Sequence, residues 1–327
     1  MSKKIVGVIV GAVLTALLSV AQSSPRRVVL EDGFLPPNNL KIPIGSLEDK
    51  GLTRKQYEAV MDRVQAVYGP IIASRGGRLM INRLWEDPTV NASADRQGDD
   101  YVINMYGGLA RHAAITQDGM ALVACHEIGH HLGGAPKYPD DWASNEGQAD
   151  YFANLKCLHR IFASPETAAF TKPTGDESLA REACGKSFAR AQDGALCVRS
   201  AMAGMSVTAL FRVMRREDPV PRFDTPDPKV VESMFNGHPG TQCRLDTYYQ
   251  GSLCAQPFAE DVSETDPSVG ACTRAGGFSV GLRPRCWYLP PAAEGAGLAD
   301  AAVMTSKPMN ASPALTLLES PPVWQGL

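Results

Sequence analysis

His126, Glu127 and His130 stand in the order HExxH. On a helix, positions four apart lie one above the other on the same face, so the two imidazoles can share one divalent ion. Glu127 lies beside them, within reach of a water on that ion without ligating it, which suits a general base. Two histidines do not complete a catalytic zinc site, which takes three protein ligands and keeps a fourth position open. The third is expected from NEGQAD, residues 145–150. There Glu146 offers a carboxylate, and Asp150, one turn later, an acceptor that fixes the tautomer of a ligating histidine; Asn145 belongs to the same supporting layer. Fifteen residues separate His130 from Glu146, enough for a turn and an antiparallel return. Paired imidazoles flanking a glutamate in a buried helix are costly unless a metal offsets their desolvation. His131 points off the metal face and reads as a packing histidine, while His112 and His159 are isolated.

These residues need two neighbouring helices. Residues 116–134, TQDGMALVACHEIGHHLGG, carry an apolar face from Ala121, Leu122, Ala124, Cys125 and Ile128 and end at Gly133-Gly134. A second helix is predicted from a Ser144 cap to Phe162, with Pro165 as the break. Upstream, Thr53 and Gln56 make a capping box for a helix with Val60, Val64 and Val67 on one face and Gly69-Pro70 as its stop. Strands are predicted over residues 78–85 and 100–106, and the polar stretch 91–99 between them reads as a loop; Asn91-Ala92-Ser93 within it fits a glycosylation sequon. Helical runs follow in DESLAREACGKSFARA and ALCVRSAMAGMSVTALFRVMRR, then a Pro-rich stretch, a short helical piece at KVVESMFN, and a remainder from residue 255 with little periodicity.

The ends and the cysteines bear on compartment. Lys3 and Lys4, an apolar run from Ile5 to Val20 and small residues at Ser19 and Ala21 predict a signal peptide over 1–21, since sixteen apolar residues fall short of a membrane span. Without it, 30 basic residues face 35 acidic ones, a balance that argues against nucleic acid as a partner. No later segment reads as apolar enough to span a bilayer, so the expected product is exported, periplasmic or extracellular, with no transmembrane segment. Eight cysteines, none in a CxxC pair, predict disulfides. Cys243 with Cys254 and Cys272 with Cys286 would close short loops, with Cys125 left as a buried thiol.

HEIGHHLGG followed by NEGQADYFA resembles the HExxH and ExxAD pair of the glutamate-ligand zinc peptidases, the gluzincins, in the branch containing HtpX, the CAAX prenyl endopeptidases and BepA. HPGTQCRL, with His238, Pro239 and Arg244, is similar to that branch's HP-then-Arg element. The resemblance covers residues 78–250. It implies one zinc ion per chain held by His126, His130 and Glu146, with Glu127 as base and His238 and Arg244 at the active site. His238 would either stabilise the transition state or block the metal. It also implies that 100–106 is an active-site edge strand, with a polypeptide substrate extended along residues 101–106. The expected fold is α+β: a mainly helical zincin-like domain over 51–254 with a small sheet on the metal helix, preceded by an extended segment over 22–50. A disulfide-rich extension over 255–327 follows. The expected function is zinc-dependent endopeptidase. The rival is a latent, chaperone-like protein of the same fold whose metal site is closed by His238. A purely structural zinc would have no need of Glu127.

Overall fold

The computed structural model describes residues 28–29, 33–139, 141–163 and 177–291. The expected signal peptide and residues 292–327 of the expected extension lie outside them. The fold is α+β, with helices dominating and a small sheet. In chain order the elements are β1 (Val28–Val29), α1 (Arg54–Ser74), β2 (Arg78–Leu84), β3 (Ala92–Gln97), β4 (Asp100–Tyr106), α2 (Gly107–Ala110) and α3 (Gln117–Leu132). Then come α4 (Glu146–Phe152), a π-helical stretch (Ala153–Cys157), α5 (Leu158–Phe162), α6 (Glu177–Ser187), α7 (Ala191–Arg215) and α8 (Thr241–Leu253).

α1 begins on the expected capping box, with the Thr53 side chain accepting from Gln56 N–H and the Gln56 side chain accepting from Thr53 N–H. It does not stop at Gly69-Pro70 but runs on to Ser74. Tyr68 and Ile72 are fully buried on either side of the proline, and that burial offsets the hydrogen bond Pro70 cannot make.

The sheet order is β1-β3-β4-β2, with β3 antiparallel to β4 and β4 parallel to β2. Two expectations fail here. Residues 91–99 do not form a loop: β3 fills most of them and turns into β4 through Gly98, at φ 59, and Asp99. Gly-Asp is a two-residue hairpin signal, and the strand's inward positions are the small Ala92 and Ala94, which the hydropathy of the stretch conceals. β4 in turn is not an edge strand. It pairs with β2 along one side and β3 along the other, so its main-chain groups are taken and a substrate cannot add to residues 101–106. Nor does the sequon leave Asn91 free, because its Nδ2 donates to Leu35 O.

α3 lies beneath the sheet against α7, buried along nearly its whole length. By length and mean hydropathy, 1.4 over an 18-residue window, α7 would suit a membrane span, contrary to the expectation for this region. That window is 72% buried inside the fold, and Arg199 within α7 makes a two-pronged pair with Asp118 of α3, so here α7 is a core helix. KVVESMFN forms no helix.

All eight cysteines are paired: Cys125–Cys157, Cys184–Cys197, Cys243–Cys286 and Cys254–Cys272. The expected free thiol at Cys125 and both expected short loops are therefore corrected. The two C-terminal bridges are nested, Cys254–Cys272 within Cys243–Cys286, and they hold a segment without helix or strand against α8. Residues of this segment, among them Val262, Trp287 and Tyr288, share the main core with α1 and α3, as do Phe34, Leu35 and Ile42 of the N-terminal segment.

Cys125–Cys157 ties α3 to the chain just beyond α4 across 32 residues. By loop-closure entropy it contributes about 3–4 kcal/mol. The double variant Cys125→Ala/Cys157→Ala should lose roughly that much unfolding free energy in a denaturant titration.

Candidate metal centre

α3 carries His126 and His130 one turn apart, both fully buried. Between them Gly129 permits a close crossing: a Cβ there would sit 2.8 Å from the Ala149 carbonyl oxygen of α4. This crossing brings Glu146, the first residue of α4, opposite the histidines. His126 Nε2 lies 3.1 Å from His130 Nε2 and 3.3 Å from Glu146 Oε2, and His130 Nε2 lies 3.6 Å from Glu146 Oε1. Ligands about 2.0–2.1 Å from a tetrahedrally held zinc are separated by about 3.3–3.4 Å. The three donors match that spacing.

The outer ring nitrogens fix which inner atoms are bare. His130 Nδ1 is 2.9 Å from the Ser144 carbonyl oxygen, which can only accept, so Nδ1 carries a hydrogen. His126 Nδ1 is 2.7 Å from Asp150 Oδ1 and is likewise the donor. When neutral, each ring therefore turns the lone pair on its Nε2 towards the other ring and towards a carboxylate. Such a cluster needs positive charge at its centre. Burial opposes charge on His126, yet Asp150 and Glu146 hold its imidazole up to about 9. Burial carries His130 down to about 4. Burial also works against the Glu146 carboxylate, but His130, His238 and His126 keep it well below the usual range. A divalent cation would supply to all three donors the attraction that a single proton on His126 supplies to two. The three residues thus fit a metal ion.

Glu127 is fully buried, and neither carboxyl oxygen has a hydrogen-bond partner among the described residues. Burial raises it to about 8, which places a proton-exchanging carboxyl beside the donor cluster at neutral pH.

Asp150 supports the cluster as expected, and it is shared. Arg244 donates to it through Nε and a terminal nitrogen, both at 2.7 Å, and Tyr248 OH at 2.8 Å. Arg244, expected at the active site, is fully buried behind Asp150, with its remaining hydrogen bond to Phe34 O. Its guanidinium is directed at Asp150 and Phe34 O and not at the three donors. Asn145 caps α4 through Gln148 N–H and donates to Asn236, so it acts on the helix and not on a ligand. It, and not Ser144, is the cap. His238 does approach: its Nε2 is 3.4 Å from Glu146 Oε2 and 2.8 Å from Gly33 O. His131 packs against Trp142 and Tyr101, away from the cluster.

Sequence reasoning missed Ser144 O, Tyr138, whose hydroxyl donates to Glu146 Oε1, and Tyr248. Only Tyr248 carried a signal, one turn beyond Arg244 on the same helix face. It also missed Phe34, whose ring stands edge-on to His126 with centroids 4.9 Å apart.

Comparison with protein-family models, curated proteins and solved structures finds no match to this chain. The site therefore rests on its own geometry. Elemental analysis should find one divalent ion per chain, and none in His130→Ala or Glu146→Ala. Asp150→Ala should weaken metal affinity about 10–100-fold. Because metal must displace the proton held on His126, whose imidazole is held up to about 9, affinity should fall about tenfold for each pH unit below about 9.

Proposed function

We propose that this chain is a zinc-dependent peptidase of the gluzincin type, exported to an oxidising compartment and acting on extended polypeptide chains. The observation that carries this reading is Glu127: a buried, unpartnered carboxyl beside three convergent metal donors. A structural site would have no use for it, whereas hydrolysis needs a group that can take and return a proton near pH 7. Four disulfides fit the compartment.

Zinc, when bound, supplies Lewis acidity that makes water a better nucleophile and a peptide carbonyl a better electrophile. The residues do the rest. His126 and His130 present bare Nε2 atoms because Asp150 and Ser144 O hold their Nδ1 hydrogens in place. Arg244 and Tyr248 keep Asp150 charged and oriented, so that His126 cannot rotate away. Glu127, beside the donor cluster and free of other hydrogen-bond partners among the described residues, takes a proton from the attacking water and delivers it to the leaving nitrogen.

A second reading, a latent binding protein on the same scaffold, is favoured by one observation: His126, Glu127, His130 and Glu146 are all closed to solvent. His238 is not a metal-blocking ligand in this arrangement, because its Nε2 donates its hydrogen to Gly33 O.

Glu127→Gln should reduce hydrolysis of a peptide mixture by about 10²–10⁴-fold while leaving the metal content unchanged. Activity equal to the parent, or activity indifferent to a chelator, refutes the peptidase reading.

A further inference from the structure

The chain's own N-terminal segment lies across the metal centre as an added strand. β1 pairs antiparallel with β3 through Val28↔Arg96 and Val29↔Asp95, and the line resumes where Phe34 N–H donates to Ala92 O at 2.8 Å. Beyond the end of β3, the Asn91 side chain takes over the pairing. Leu35 N–H donates to its Oδ1 at 2.9 Å, and its Nδ2 donates to Leu35 O at 3.1 Å, a two-bond clamp of the kind a neighbouring backbone would make.

The same few residues touch the site. The Phe34 ring packs on His126, Phe34 O accepts from Arg244, and Gly33 O accepts from His238. Gly33 is pressed so closely on β3 that a Cβ would lie 2.2 Å from Ala92 O. Beyond Leu35 the chain surfaces at Pro37, Asn39, Leu40 and Lys41 before Ile42 re-enters the core.

We propose that the N-terminal segment, held on β3 at Val28–Val29 and again at Gly33–Leu35, is an autoinhibitory strand that covers the outer edge of β3 and must leave before an extended chain can reach the metal centre. The identity of what replaces it, a peptide strand, rests on the peptidase reading; the occlusion does not. An incoming strand would restore to β3 the main-chain hydrogen bonds the departing one gives up, and its carbonyls could replace Gly33 O and Phe34 O as acceptors for His238 and Arg244. Tethering favours the resident strand, because its effective concentration is in the millimolar range, far above that of a free peptide. Release is thus a matter of severing or loosening the tether, and the exposed stretch from Pro37 to Lys41 is where the chain can be severed without opening the core.

The test uses the full chain loaded with zinc, in two altered forms. Asn91→Ala removes the clamp, and an insertion between Asn39 and Leu40 carries the recognition sequence of a site-specific protease, so that the strand can be nicked free. The rate at which a strong chelator strips the zinc, and hydrolysis of a peptide mixture, are both measured. Stripping should accelerate at least about tenfold in both forms, and a synthetic peptide of residues 28–39 should slow it again in the nicked form. Cys184→Ala/Cys197→Ala, which loosens the fold far from the strand, should leave it unchanged. Unaltered stripping in both forms, or equal acceleration in the cysteine control, overturns the proposal. Hydrolysis by the parent as fast as by the nicked protein also overturns it while leaving the peptidase reading intact. Faster stripping with no hydrolysis upholds the strand and removes the peptidase.

Discussion

A carboxylate with no access to water has to be neutralised by its neighbours, and Asp150 is such a group at the junction of every element that meets the metal centre. It accepts from His126 on α3 and from Arg244 and Tyr248 on α8, while itself belonging to α4. Through Arg244 it is linked to Phe34 O. A buried pair of this kind adds little net stability over apolar packing, but removing one partner leaves an uncompensated charge at a cost of about 3–5 kcal/mol. The consequence is geometric. The elements can pack only in the arrangement that satisfies Asp150, and that arrangement aims the His126 lone pair at Glu146.

The frame that maintains this junction is assembled from distant parts of the chain. Cys125–Cys157 holds α3 against the stretch after α4. On the opposite face of α4, Trp287 lies against Gly147 so closely that a Cβ would meet its ring at 2.2 Å, and its indole donates to Thr247 on α8. Arg283 donates to Gln148, two residues beyond Glu146. The irregular C-terminal segment therefore buttresses α4, and the two nested disulfides keep it there despite its lack of regular hydrogen bonding.

The sheet decides what can approach. Because β4 is interior, the strand with an edge towards the metal helix is β3, and that edge is already covered by the segment that includes Phe34. The N-terminal residues thus lie over the three donors through Phe34 on His126, and His238 binds Gly33 O beside them.

Much of the centre was legible in the order of residues. HExxH determines that two imidazoles share one helix face, because the spacing is set by helix geometry whatever surrounds it. The ExxxD spacing of Glu146 and Asp150 likewise puts a ligand and its supporting carboxylate one turn apart on one helix. The capping box at Thr53, the end of the metal helix at Gly133 and the even cysteine count were readable for the same reason, since each is a local rule. What only the tertiary structure decided is everything that depends on who lies beside whom: the disulfide partners, the interior place of β4, the strand hidden in a polar run, the role of Arg244 behind Asp150, and Gly33 and Phe34 over the site. Periodicity reports which face of an element is buried, but pairing between elements remote in sequence is settled by packing, where a small alanine or an asparagine side chain can complete a sheet that no local pattern announces.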